Sequence, residues 1–115
     1  MTLDGFYKIV FTGTADWGTA LVVLLNGVVT GADAAGVAFD GYYVADGSNL
    51  EVRLTLTVPP GVKLVQGVAA SSRPFSFKVE FKLPLNHWFS SEVFRVQTTY
   101  GPVNASAQKL RNFPN

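Results

Sequence analysis

Asn26-Gly27, set between the apolar runs 20–25 and 28–30, restricts the fold of this chain more than any other stretch. A two-residue type I′ turn needs positive φ at both central positions, which Asn tolerates and Gly adopts freely, so Leu25 pairs with Val28 and Val23 with Thr30. The hairpin is apolar on both faces. Ala20, Val22 and Leu24 point one way and Leu21, Val23 and Leu25 the other, whereas an antiparallel hairpin at a protein surface normally shows one polar face. One set lines a core and the other meets a subunit or partner, since large exposed apolar patches mark such contacts. Leu21, Val22, Val23 and Leu24 together form the candidate dimer or partner face.

The flanking sequence supplies strands of the same kind. Residues 6–11 place Tyr7, Ile9 and Phe11 opposite Lys8, and residues 37–44 align Val37, Phe39, Gly41 and Tyr43, with Gly41 marking a bend or bulge. Residues 50–58 alternate most cleanly: Leu50, Val52, Leu54, Leu56 and Val58 form a core side, and Glu51, Arg53, Thr55 and Thr57 a water side. Pro59-Pro60-Gly61 ends that strand, because proline cannot donate to a ladder. Lys63-Leu64-Val65 is either a short strand or a loop over the end of the fold. Phe75, Phe77, Val79, Phe81 and Leu83 alternate with Ser76, Lys78, Glu80 and Lys82. Residues 84–91 read as a turn region, 92–98 and 103–110 as the last strands, and the tail 111–115 as frayed or packed across an end. The alanines of 32–38 and 103–110 invite a helical reading, but Gly31, Gly36 and Gly101-Pro102 argue for strand or turn.

Eight strands joined by short connections predict an all-β single domain over residues 1–115. The expected architecture is an up-and-down antiparallel eight-stranded barrel of the lipocalin or calycin type, with a two-sheet sandwich as the alternative. A chain of 115 residues removes about two-thirds of its unfolded surface from water, enough for a core without staples. The lack of cysteine excludes disulfides and thiolate metal sites and suits a reducing cytoplasm. Nine basic residues against eight acidic ones provide no field for phosphates, so no direct nucleic-acid contact is expected. The start MTLDGFYKIVF does not read as a signal peptide, and no run approaches the roughly 20 apolar residues of a membrane helix. The expected location is the cytoplasm, away from membranes.

Residues that carry chemistry are scattered. His87 has no second histidine or cysteine to share a metal with, and Ser90 and Ser91 lack a nucleophile-elbow pattern. Asp40 is expected to pair with a lysine or arginine across the sheet, the alternative being a position facing a cavity. Gly13, Gly18, Gly31 and Gly36 are not followed by the lysine and hydroxyl of a phosphate loop. Neither catalysis nor a cofactor or metal is expected. The aromatics have two readings, core filling or the lining of a cavity for a small lipophilic ligand, with Tyr7, Phe39, Tyr43, Phe77, Phe81 and Phe94 as the candidate lining.

The succession Gly5-Phe6-Tyr7 with Ile9 and Phe11, Leu25-Asn26-Gly27, Gly31-Ala32-Asp33 and Gly36 with Phe39, Gly41 and Tyr43 resembles the GrlR family, bacterial negative regulators of type III secretion genes. Val58-Pro59-Pro60-Gly61, Leu64-Val65 with Gly67, Gly101-Pro102-Val103-Asn104 and Lys109-Leu110-Arg111 extend the likeness along the chain. The resemblance implies a lipocalin-like barrel, a homodimer, and a regulator that binds and sequesters a transcriptional activator protein. It places the partner contact on the turn after the fourth strand, here Asp46, Ser48 and Asn49, where Asp46 alone matches the acidic run of the founding members. The alternative function is a carrier or sensor of a small lipophilic ligand.

Overall fold

The computed structural model describes residues 2–114. Eight strands follow one another: β1 (Gly5–Thr12), β2 (Trp17–Leu25), β3 (Val28–Asp33), β4 (Ala38–Asp46), β5 (Asn49–Val58), β6 (Phe75–Pro84), β7 (Phe94–Thr98) and β8 (Gly101–Arg111). A single helical turn, α1 (Leu85–Phe89), separates β6 from β7. All eight strands belong to one antiparallel sheet ordered β6-β5-β4-β3-β2-β1-β8-β7. The sheet rolls up so that its ends, β6 and β7, come side by side, giving an up-and-down barrel of the lipocalin type.

Local chemistry accounts for the register. Asn26 and Gly27 have φ of 49° and 85°, the left-handed pair of a type I′ turn, and Leu25 faces Val28 while Val23 faces Thr30. Inward-pointing glycines let the wall curve: a Cβ on Gly41 would sit 1.9 Å from the Arg53 carbonyl oxygen, and one on Gly31 2.1 Å from that of Leu21. The ladder past Gly41 is continuous, so this glycine marks a close approach of backbones and not a bulge. The observed bulge lies elsewhere, between Phe6 and Tyr7 where β1 meets β8. Residues 62–66 form a loop over one end, tied to the β1–β2 connection by the Ala15 and Asp16 N–H groups, which donate to the Val65 carbonyl at 3.0 and 3.2 Å.

The barrel is closed by side chains along one seam. Strands β6 and β7 share no ladder; Phe81 packs on Phe94 with ring centroids 5.4 Å apart, and Phe77 meets Tyr100 edge-on at 5.1 Å. Helix α1, in the stretch expected to be a simple turn, fills the lower part of the seam with the buried Trp88. The Leu85 N–H donates to the Ser48 carbonyl at 2.7 Å, which fastens the start of α1 to the β4–β5 turn. A five-residue helix has no periodicity to read; Pro84 at its N-cap is the only local cue.

The floor end of the barrel carries the 26–27 and 47–48 turns and α1, and it is tightly packed. Tyr7, Leu24 and Leu50 are fully buried there, and the Tyr7 ring lies 5.2 Å from that of Trp88. At the other end, the mouth, lie residues 13–16, 34–37, 59–74 and 99–100. Of the tail, Phe113 stacks on Phe6 at 5.3 Å outside the barrel, and Asn115 lies outside the described residues.

Candidate ligand cavity

Exposure along the inward faces changes with height. On β5, Leu50 and Val52 are buried near the floor, whereas Leu54 and Leu56, on the same face, are half-exposed. On β1, Tyr7 is buried and Ile9 and Phe11 are not; Phe39 on β4 and Phe81 on β6 are likewise half-exposed. In a packed core every inward residue would be fully buried, because interiors reach crystal-like density. These side chains instead border a hollow of about 290 Å³ that runs from Trp88 to the mouth.

The lining is apolar through its depth. Ile9, Phe11, Val22, Phe39, Leu54, Leu56, Phe77, Val79, Phe81, Phe94 and Val96 form the walls. The polar side chains of the lining, Asp16, Thr19, Asp33, Lys63, Gln66 and Thr98, come from strand ends and loops at the mouth. Leu64, buried at the centre of the 62–66 loop, partly roofs the opening, and Trp17, 66 % exposed, stands at its rim. Gly18 faces Phe11 across β1 and β2, and a Cβ there would lie 2.7 Å from the Phe11 ring, so this glycine leaves room for the ring to lie against the wall.

Four of the six aromatics expected to line a cavity do so: Phe39, Phe77, Phe81 and Phe94. Tyr7 and Tyr43 do not. Both point inward, but at the floor their hydroxyls anchor the N-terminal segment: Tyr7 donates to the Leu3 carbonyl at 2.6 Å, and Tyr43 donates to the Asp4 carboxylate, which also accepts the Asn26 N–H at 3.3 Å. Burial pushes the Tyr7 hydroxyl above its usual pKa, and the Asp4 charge adds to the rise. The nearby Trp88 indole opposes it without meeting hydrogen-bond geometry, and the Trp88 N–H is left buried and unpartnered. Tyr43 is raised by burial first and then by its bond to Asp4.

The hairpin face divides in two. Val22 and Leu24 are buried inside the barrel, so neither belongs to a surface, while Leu21 and Val23 point outward. The register makes Leu21 and Val23 part of a larger outer stripe: Val28 stands between Leu25 and Tyr42, and Val44 follows on the same face of β4. Leu21, Val28, Tyr42 and Val44 are each at least half exposed. Asp46 and Ser48 are exposed and Asn49 half-buried at the floor end, far from the mouth and continuous with the Val44 end of the stripe. Asp40 is on the outer surface, where it accepts a hydrogen bond from Thr30 Oγ1 at 2.9 Å. His87 Nε2 is 3.1 Å from the Val93 carbonyl and 3.8 Å from Glu92, at the foot of the seam.

Among the described residues, no three His, Asp or Glu side chains stand close enough to hold a metal ion, and no helix is long and apolar enough to cross a membrane. No protein-family model, curated protein or solved structure matches this chain.

Proposed function

We propose that this protein is a non-enzymatic binding protein that takes up one small apolar molecule through the mouth of its barrel. The observation that carries the reading is the half-exposed inner wall around a hollow of about 290 Å³. That volume is close to the lower end of the range of small-molecule sites, roughly 300–1,000 Å³. It is about twice the 150 Å³ of a dry cavity that accepts benzene, which points to a ligand of about a dozen non-hydrogen atoms. The two tryptophans, Trp17 at the rim and Trp88 at the base, both border the space and report on its contents. Titration with 1-decanol is expected to change their fluorescence saturably with one-to-one stoichiometry. An unchanged spectrum together with an unchanged melting temperature at saturating decanol refutes the reading.

A second reading concerns the outside. The exposed stripe of Leu21, Val28, Tyr42 and Val44 supports contact with another protein, either a second copy of this chain or the activator that the sequence resemblance implies. Asp46 and Ser48 extend the same surface. In this reading the protein is a cytoplasmic regulator acting by protein contact, a setting in keeping with its lack of cysteine. Light scattering is expected to give a dimer that Leu21→Lys converts to a folded monomer. A monomer for the unsubstituted protein, together with failure to pull down any transcriptional activator, removes this reading and leaves the cavity unaffected.

A further inference from the structure

We infer that the ligand is a monoanionic amphiphile, an apolar body bearing one carboxylate, whose head is held at the mouth by Lys63. This rests on the reading of the hollow as a binding site and assigns the end of the ligand that the apolar walls cannot recognise. The base of the hollow offers the Trp88 N–H, a single neutral donor, and no cation to balance a carboxylate, so a charged head remains at the mouth.

The polar groups of the mouth differ in how they are engaged. Asp33 Oδ1 accepts the Ala35 and Val37 N–H groups at 2.9 Å each, and Asp16 Oδ1 accepts the Trp17 N–H at 2.8 Å, so both carboxylates organise their own turns. Thr98 Oγ1 accepts from Gln66 Nε2 at 3.2 Å and donates to the Gly101 carbonyl at 2.6 Å. Lys63 is the charged lining residue with no hydrogen bond or ion pair to any described residue, although both aspartates border the same opening. Its neighbour Leu64 is buried in the roof, which holds the backbone at Lys63 in place.

Charge also limits the head. The lining of the mouth holds one lysine against Asp16 and Asp33, a formal charge of −1, so any anionic head meets a repulsive background, about twice as large for a dianionic phosphate as for a monoanion, that direct contact with Lys63 has to offset. A single carboxylate gains its contact on the lysine side and avoids the second charge.

The test compares decanoate, 1-decanol and decylamine, which share a tail and differ in the head, on the whole protein and on Lys63→Gln and Lys63→Glu, read by tryptophan fluorescence. Lys63 is exposed, so neither substitution threatens the fold. Lys63→Gln is expected to weaken decanoate two- to fivefold, the size of a solvent-exposed ion pair, and to leave decanol unchanged. The decanoate effect shrinks at 1 M salt, and Lys63→Glu weakens decanoate further while tightening decylamine. If decanol binds but decanoate is indifferent to both substitutions, the head-group assignment is overturned and the cavity reading stands. If none of the three ligands binds, the cavity reading falls and this inference with it.

Discussion

Ala105 and Ala107 lie two residues apart on the inner face of β8, and both are nearly fully buried, yet only Ala105 borders the hollow. Replacing each in turn by leucine therefore distinguishes an empty barrel from a full one. At Ala105 the three added carbons enter free space between Phe11 and Phe94, its partners on the adjacent strands. At about 0.8 kcal/mol per buried carbon they contribute up to about 2.4 kcal/mol, from which roughly 0.5–1 kcal/mol of leucine rotamer entropy is lost. A net gain of about 1.5 kcal/mol raises the melting temperature by roughly 6 °C in a domain of this size. At Ala107, which is 2 % exposed and does not border the hollow, the same carbons crowd packed neighbours, and overpacking costs about 1–3 kcal/mol. The two variants are expected to shift in opposite directions in urea and thermal unfolding followed by circular dichroism. Ala105→Leu also displaces about three carbons' worth of ligand, so decanol affinity falls roughly fiftyfold while stability rises. Equal destabilisation by both substitutions refutes the existence of the hollow.

The hairpin offers a second contrast. Val22→Lys buries an ammonium group in an apolar interior at a cost comparable to the whole stability of a small domain, and it is expected to abolish cooperative unfolding. Val23→Lys, one residue on, places the charge outside and keeps a native-like melting curve; two folded proteins contradict the assignment of faces. Tyr43 and Tyr7 govern the alkaline limb of stability. Their folded-state pKa values lie above the unfolded value of about 10, so their contribution is intact below pH 10 and is lost as the pH rises through the folded values. Tyr43→Phe is expected to flatten the fall in melting temperature between pH 9 and 12, and an unchanged slope counts against a raised Tyr43 pKa as a source of that fall. Along the seam, a double-mutant cycle of Phe81→Leu and Phe94→Leu is expected to return a coupling of about 0.5–1.5 kcal/mol, and strict additivity shows that the tilted ring pair does not hold β6 to β7.

Much of the barrel is visible in short-range pattern. Asn26-Gly27 determines a turn and a register because the φ requirement of a type I′ turn is met within two residues, and the alternation of 50–58 and 75–83 marks inner and outer faces because side chains in a strand repeat every two residues. Phe39, Phe77, Phe81 and Phe94 were recognisable as inward aromatics for the same reason. Tyr7 and Tyr43 share that inward pattern and still miss the cavity, since their height above the floor depends on the Leu3 and Asp4 contacts and on Trp88 in a helix too short to show a period.

The succession of strands, their turns and the two apolar faces of the hairpin are legible in the chain alone. Each of these follows from residues a few positions apart. The folded barrel is needed to see that Val22 and Leu24 face inward and Leu21 and Val23 outward, that aromatic rings close the β6–β7 seam, and that a hollow remains between Trp88 and Lys63. Curvature and closure sum small rotations over all eight strands, and the space left inside is the difference between barrel size and side-chain volume contributed from the whole length of the chain.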